Sequence, residues 1–189
     1  MESALIVSCT GKSAAFFTEM LNEASVSQIT VIKSAGEARR IIMEKDFDLV
    51  IVNAPLGDES GENFCRHIAS RNLSQVILVV KSESFDAVSA ACEDYGVLTI
   101  AKPVSREIFW SALSLAKSAR SRIRRMQSEN AKLKQKIEDI RVIDRAKCLL
   151  ISYLSLSEQE AHRFIEKQSM DLRSTKRAIA EEILKTYDS

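Results

Sequence analysis

Residues 48–58, DLVIVNAPLGD, decide how the first half of the chain is read. Leu49, Val50, Ile51 and Val52 form an unbroken aliphatic run with no polar alternation. A strand with one wet face would alternate, so this run predicts a parallel strand covered on both faces. Working outward, similar runs stand at Ala4–Ser8 and Val76–Val80, with weaker β-rich runs at Gln28–Ile32 and Leu98–Ala101. Amphipathic stretches separate them at Ala14–Ala24, Gly36–Lys45, Gly61–Arg71 and Phe85–Tyr95, and another begins near Arg106. Five βα units predict an α/β domain over residues 1–105 with a doubly wound parallel sheet and right-handed crossovers. In such sheets a functional site gathers at the carboxyl ends of the strands.

In length, element order and the I-A-K-P-V run at 100–104, this half resembles a response-regulator receiver domain, a flavodoxin-like five-stranded fold. The resemblance implies two acids after the first strand for Mg²⁺ and a phosphoryl-accepting Asp at the end of the third. It also implies a Ser or Thr ending the fourth strand and a Lys after the fifth. Lys102 matches that Lys, and Ser82 lies near the hydroxyl position with Lys81 beside it. The first strand ends in Ser8-Cys9-Thr10, which offers no carboxylate for a hard cation. Asn53 stands at the acceptor position, and a carboxamide is a poor nucleophile. Asp58 lies too far beyond the strand end to replace it. The expectation is a pseudo-receiver with a degenerate pocket of Asn53, Ser82 and Lys102, no bound metal and no cofactor. Lys102 is expected to bond Asn53 or a nearby carbonyl; a small anion at the pocket is the competing reading.

No Gly or Pro follows Pro103, so nothing forces a break after the last receiver helix. From Phe109 a three-four spacing runs through Ala112, Ala116, Ala119, Ile123, Met126, Asn130, Leu133, Ile137 and Ile140. Residues 106–142 are therefore expected to form a long coiled-coil helix, with a weak alanine seam first and a stronger one from Ile123. Asn130 at an a position favours a parallel, in-register pair, because a buried Asn pairs best with its own copy. A homodimer through Ile123, Met126, Asn130, Leu133, Ile137 and Ile140 is expected. The competing arrangement is a helix packed back on its own receiver.

Residues 143–184, IDRAKCLLISYLSLSEQEAHRFIEKQSMDLRSTKRAIAEEIL, read as three amphipathic helices. The first ends near Tyr153. The second starts at Ser157, where Ser157 and Glu160 make a capping box, and its apolar side reads as Ala161, Phe164, Ile165 and Met170. The third starts near Ser174 and presents Ile179, Ala180, Ile183 and Leu184. Helices this short bury their faces only against one another, so residues 143–189 are expected to be a three-helix bundle. The spacing of Ile143, Asp144, Ala146 and Lys147, then Leu156, Ser157, Glu158, Glu160, Ala161 and His162, then Met170, Arg173, Ala178, Ile179, Ala180, Ile183 and Leu184, resembles the ANTAR domain. Cys148 departs from the small residue common at its position. The resemblance implies an RNA-binding output domain that recognises paired leader hairpins and lets polymerase read through an overlapping terminator. Control would come from a partner such as a regulatory sensor protein, or from oligomerisation.

The charge distribution agrees with a polyanionic partner. Residues 1–105 carry 9 Lys and Arg against 14 Asp and Glu, a net of −5, and residues 106–189 carry 18 against 12, a net of +6. Candidate RNA contacts are Lys147, His162 and Arg173 from the family pattern, with Arg163, Lys167, Ser174, Lys176 and Arg177 from charge and grouping. Several have a plainer reading: His162 as a cap or core residue, Lys147 as a partner of Asp144 or Glu160. The four scattered cysteines lack a C-x-x-C pair, no run is long enough for a membrane span, and no signal peptide is evident, which points to a reduced, cytoplasmic protein. No Gly-rich phosphate loop or H-E-x-x-H motif suggests an enzyme. The remaining alternatives are a protein-interaction scaffold that has lost RNA binding and a DNA-binding output domain, the latter without the expected Gly turn.

Overall fold

The computed structural model describes residues 1–71 and 74–187, which form two compact units, Met1–Arg124 and Arg125–Ser189. The first is a five-stranded parallel sheet in the order β2-β1-β3-β4-β5. Its strands are β1 (Ser3–Val7), β2 (Gln28–Ile32), β3 (Leu49–Asn53), β4 (Gln75–Val80) and β5 (Leu98–Ala101). The helices are α1 (Gly11–Glu23), α2 (Ala35–Glu44), α3 (Glu62–Arg71), α4 (Phe85–Glu93) and the opening turns of α5 (Arg106–Leu154). This strand order places its switch point between β1 and β3, at whose carboxyl ends a site is expected.

The layers explain the unbroken aliphatic runs. Leu5, Val7, Val50, Val52, Leu78 and Val80 pack on one face against Ala35, Ala38, Phe64, Ile68, Val88 and Cys92 from α2, α3 and α4. Ala4, Ile6, Leu49, Ile51, Ile77 and Val79 pack on the other against Phe17, Met20 and Leu21 of α1 and Phe109, Leu113 and Ala116 of α5. These residues of β1, β3 and β4 therefore meet a helix layer whichever way they point. β2, at the edge, is only partly covered.

Helix α1 begins three residues before the expected start, because Thr10 has extended backbone (φ −106°) and the turn begins immediately after it. The heptad pattern also divides differently. Phe109, Ala112 and Ala116 are buried in the core of the first unit, so the early seam is a helix-on-sheet contact and not a weak coiled coil.

In the second unit, the end of α5 packs with α6 (Glu158–Asp171) and α7 (Lys176–Tyr187). Ala146 and Leu150 of α5, Ala161 and Ile165 of α6, and Ile179, Ala180 and Ile183 of α7 form its core. Ser157 caps α6 with the full capping box: its Oγ accepts from Glu160 N at 3.3 Å, and Glu160 Oε2 accepts from Ser157 N at 2.8 Å. The expected apolar face of α6 needs correction. Met170 is 67% exposed and Phe164 38%, whereas Ala161, Ile165 and Ser169 make the buried stripe at i, i+4 and i+8. Asp188 and Ser189, at the end of the expected third domain, lie outside the described residues.

Candidate functional site

In the first unit, β1, β3, β4 and β5 bring Ser8, Thr10, Asn53, Ser82 and Lys102 to their carboxyl ends. Asn53, 4% exposed, donates from Nδ2 to Ser8 Oγ at 3.0 Å and to Thr10 Oγ1 at 3.5 Å. Ser8 Oγ in turn donates to the Thr10 carbonyl at 3.1 Å. Lys102 Nζ donates to the Ala54 carbonyl at 2.6 Å, and Ser82 Oγ donates to the Lys102 carbonyl. Burial holds the Lys102 amine below the ordinary lysine pKa, and nearby Lys81 pushes in the same direction. Lys102 thus takes a carbonyl of the β3–α3 loop.

The two acids of that loop are engaged elsewhere. Asp58 accepts from Ala35 N at 3.0 Å and Gly36 N at 2.9 Å, which makes it a cap of α2. Those bonds, the Gly36 one first, hold its carboxyl below the usual Asp value. Glu59 accepts twice from Arg39 Nη2, at 2.8 and 2.9 Å. Among the described residues, the side chains that meet at the strand ends are one amide, three hydroxyls, one amine and the thiol of Cys9. Mg²⁺, the ion of working receivers, takes carboxylate oxygens. This donor set does not fit it. The sequence reading does not single out Ser8 and Thr10 as partners of Asn53. A signal for them exists, since hydroxyls follow β1 at the position opposite Asn53.

In the second unit the eight basic-surface candidates divide into two groups. Lys147 Nζ bonds Asp144 at 2.8 Å and Glu158 at 2.9 Å, and Glu160 is instead committed to the capping box. The bonds to Asp144 and Glu158 raise the Lys147 pKa. Lys176 pairs with Glu166 at 2.6 Å, and Arg177 bridges Asp139 at 2.7 Å and Glu181 at 2.8 Å. His162, Arg163, Lys167 and Arg173 are exposed and make no salt bridge among the described residues, and Ser174 is exposed beside Arg173.

The backbone singles out Arg173. Helix α6 ends with Ser174 N bonded to Ser169 O at 2.9 Å and Arg173 N to Met170 O at 3.2 Å. That pair of bonds is a Schellman ending, whose left-handed position is usually glycine. Arg173 occupies it at φ +48°, which costs about 1 kcal/mol relative to glycine. An arginine is thus held at the exposed α6–α7 turn against its own conformational preference.

Along α5, Ile123 is 38% exposed in the first unit. In the second, Met126 at 63%, Leu133 at 59%, Ile137 at 54% and Ile140 at 58%, with exposed Asn130 among them, leave an apolar stripe uncovered within the single chain. The next positions in the register are Asp144 and Lys147, which are bonded to each other, so the stripe ends at Ile140.

A parallel sheet of this order with its site at the strand ends is the flavodoxin-like arrangement that receiver domains share with other doubly wound proteins. The model of the response regulator receiver domain matches residues 5–114, more than half of the chain, and the chain belongs to that family. Residues 131–184 match the ANTAR domain, so the protein is a receiver followed by an ANTAR domain. Across 171 residues it is 26% identical to a protein of Mycobacterium tuberculosis named transcriptional regulatory protein PdtaR, covering 89% of this chain and 82% of the relative. Among solved structures, the signal receiver domain of an HD domain-containing protein from Pseudomonas fluorescens Pf-5 superposes with a TM-score of 0.59 at 17% identity, over 66% of this chain and 92% of that one. A CheY-like receiver domain protein from Methanospirillum hungatei gives 0.57 at 18% identity, over 65% and 98%. These two likenesses concern the fold.

Proposed function

We propose that the chain is an RNA-binding regulator of transcription antitermination whose receiver-like domain is not phosphorylated. The observation that carries the reading is the ANTAR match over 131–184, on a unit whose α6–α7 turn displays Arg173 and Ser174. The similarity to a transcriptional regulatory protein supports the regulatory role. Phosphate neutralisation by Lys and Arg, with unstacked loop bases read on their edges, is how such a surface holds a hairpin. Arg163, Lys167, Arg173 and Ser174 would meet RNA first. Lys147, Lys176 and Arg177 would exchange their carboxylate partners for phosphates at a higher desolvation cost, and His162 would flank them.

The exposed stripe from Ile123 to Ile140 supports a parallel homodimer, with Asn130 setting the register. Two output bundles on one dimer suit a two-hairpin target, because the second contact becomes intramolecular. Functionally the chain divides into a pseudo-receiver at 1–105, a helix at 106–142 whose first turns pack on that domain and whose later stretch dimerises, and the RNA-binding bundle at 143–189. Asn53 at the acceptor position, bonded to Ser8 and Thr10, supports a receiver that takes no phosphoryl group. Control then falls to a partner such as a sensor protein. No helix among the described residues is long and apolar enough to cross a membrane. On the likeness to regulators of its family, we assign the protein to the cytoplasm as a regulator without enzymatic activity.

A gel shift of the full chain against paired hexaloop hairpins tests the reading. Specific binding lost on loop scrambling and in the Arg173→Ala/Lys176→Ala variant is expected. A folded dimer that binds no RNA at low salt would overturn it and leave the scaffold alternative.

A further inference from the structure

The mismatch between the receiver pocket and a divalent cation has a chemical sign. We propose that the strand-end pocket of the first unit is an oxyanion site, which takes a free tetrahedral phosphate group non-covalently where working receivers hold a metal and an acyl phosphate. The lysine charges at the pocket are positive, and Cys9 acts on Lys102 in the opposite sense to Lys81. Lys102 Nζ spends one of its three N–H donors on the Ala54 carbonyl, at 2.6 Å, and makes no other hydrogen bond among the described residues. Lys81 lies close enough to act on it electrostatically. The acids that would oppose them, Asp58 and Glu59, are bound to the α2 N-terminus and to Arg39. Glu83, next to Ser82, sits on an exposed turn, and the Cys9 thiol donates to the Pro55 carbonyl at 3.5 Å.

The neutral groups are oriented in the same sense. The buried Asn53 amide donates to Thr10 Oγ1 at 3.5 Å and to Ser8 Oγ, so each hydroxyl accepts from within and has its own proton to give. Ser8 gives its proton to the Thr10 carbonyl. Thr10 is exposed, and beyond Asn53 its hydroxyl has only a long 3.5 Å contact with Ser8 Oγ among the described residues. That hydroxyl is therefore a donor available at the pocket mouth, at the same strand ends as the Lys102 amine. A tetrahedral oxyanion accepts from both, whereas the lysine charge repels a divalent cation that no carboxylate at these strand ends would hold. No bond forms, since the Asn53 amide is not a nucleophile, and the ligand leaves as it came. The proposal is independent of whether the second unit binds RNA.

The test is an amide-resolved NMR titration of the full chain with inorganic phosphate, balanced by chloride at constant ionic strength. Parallel titrations use magnesium chloride and glycerol 3-phosphate. Saturable shifts at Thr10, Ser82 and Lys102 with phosphate and none with magnesium are expected. An equal response to the ester would identify the ligand as a phosphorylated small molecule, and a response to phosphate alone would identify the free ion. Lys102→Gln should weaken the response roughly tenfold, the usual scale for one charge-assisted hydrogen bond. Asn53→Asp, which keeps the side-chain shape but adds a negative charge, should abolish it while the rest of the spectrum stays native. Absence of saturation at these amides, an equal effect of chloride, or unchanged phosphate binding in folded Asn53→Asp would overturn the proposal.

Discussion

Asn53 donates to Ser8 Oγ at 3.0 Å, so the residue at the acceptor position of β3 is hydrogen-bonded to the residue that follows β1. In a working receiver these two places carry the nucleophile and a metal ligand. Here they carry an amide and a hydroxyl that satisfy each other, so neither place offers a carboxylate. Restoring the nucleophile alone should therefore restore nothing. The Asn53→Asp protein, incubated with acetyl phosphate and magnesium, is expected to show no phosphoryl mass increment by intact-protein mass spectrometry. A stoichiometric increment would show that the missing carboxylates after β1 are dispensable.

In the proposed interface, Arg173 sets stability against binding. Replacing it with glycine removes the left-handed strain at φ +48°, and should raise the unfolding free energy by about 1 kcal/mol in urea titrations. The same change should weaken hairpin binding. A glycine variant that is both more stable and fully competent for RNA would remove Arg173 from the interface.

The exposed stripe on α5 predicts concentration-dependent association. Leu133→Lys with Ile137→Lys should give a monomer by sedimentation, with each unit still folded by circular dichroism. Affinity for a two-hairpin RNA should then fall about a hundredfold or more, while affinity for a single hairpin changes little. Asn130→Ile should strengthen association and loosen its register.

Asp58 predicts an acid-side effect. Its folded-state pKa lies below the unfolded value, about 3.9, because Gly36 and Ala35 amides bond the carboxylate. Its contribution to stability is therefore complete above that value and is lost as pH falls through the folded-state pKa. Thermal unfolding midpoints of the wild type and of Asp58→Ala should differ at neutral pH and converge below about pH 4. A difference that persists in acid would mean that the cap does not act through its charge.

Much of this architecture is legible in the residues themselves. The aliphatic runs of β1, β3 and β4 are long enough and bare enough of polar residues to announce a sheet covered on both faces. Ser157 and Glu160 name their helix start because a capping box needs both at that spacing. Periodicity is less informative about partners. Phe109, Ala112 and Ala116 follow the same three-four spacing as Asn130, Leu133 and Ile137, yet the first group is buried on its own sheet and the second is exposed on the single chain. A spacing of three and four fits burial against a sheet as well as against a second helix.

Met170 departs from its expected place for a related reason. It lies one residue, about 100° of helix, beyond Ser169, and it is the small Ser169 that closes the buried stripe. Long-range polar links such as Arg177 to Asp139 and Asp58 to Gly36 join residues far apart in the chain, and no local pattern marks them.

The most direct measurement is single-round transcription in vitro through a leader whose hairpin pair overlaps a terminator, with the purified, unphosphorylated chain added. Read-through should rise with protein, depend on intact hairpin loops and on Arg173, and stay unchanged on adding acetyl phosphate with magnesium. Read-through that appears only with the phosphodonor, or termination that the folded dimer leaves untouched, would contradict an antiterminator that works without phosphorylation.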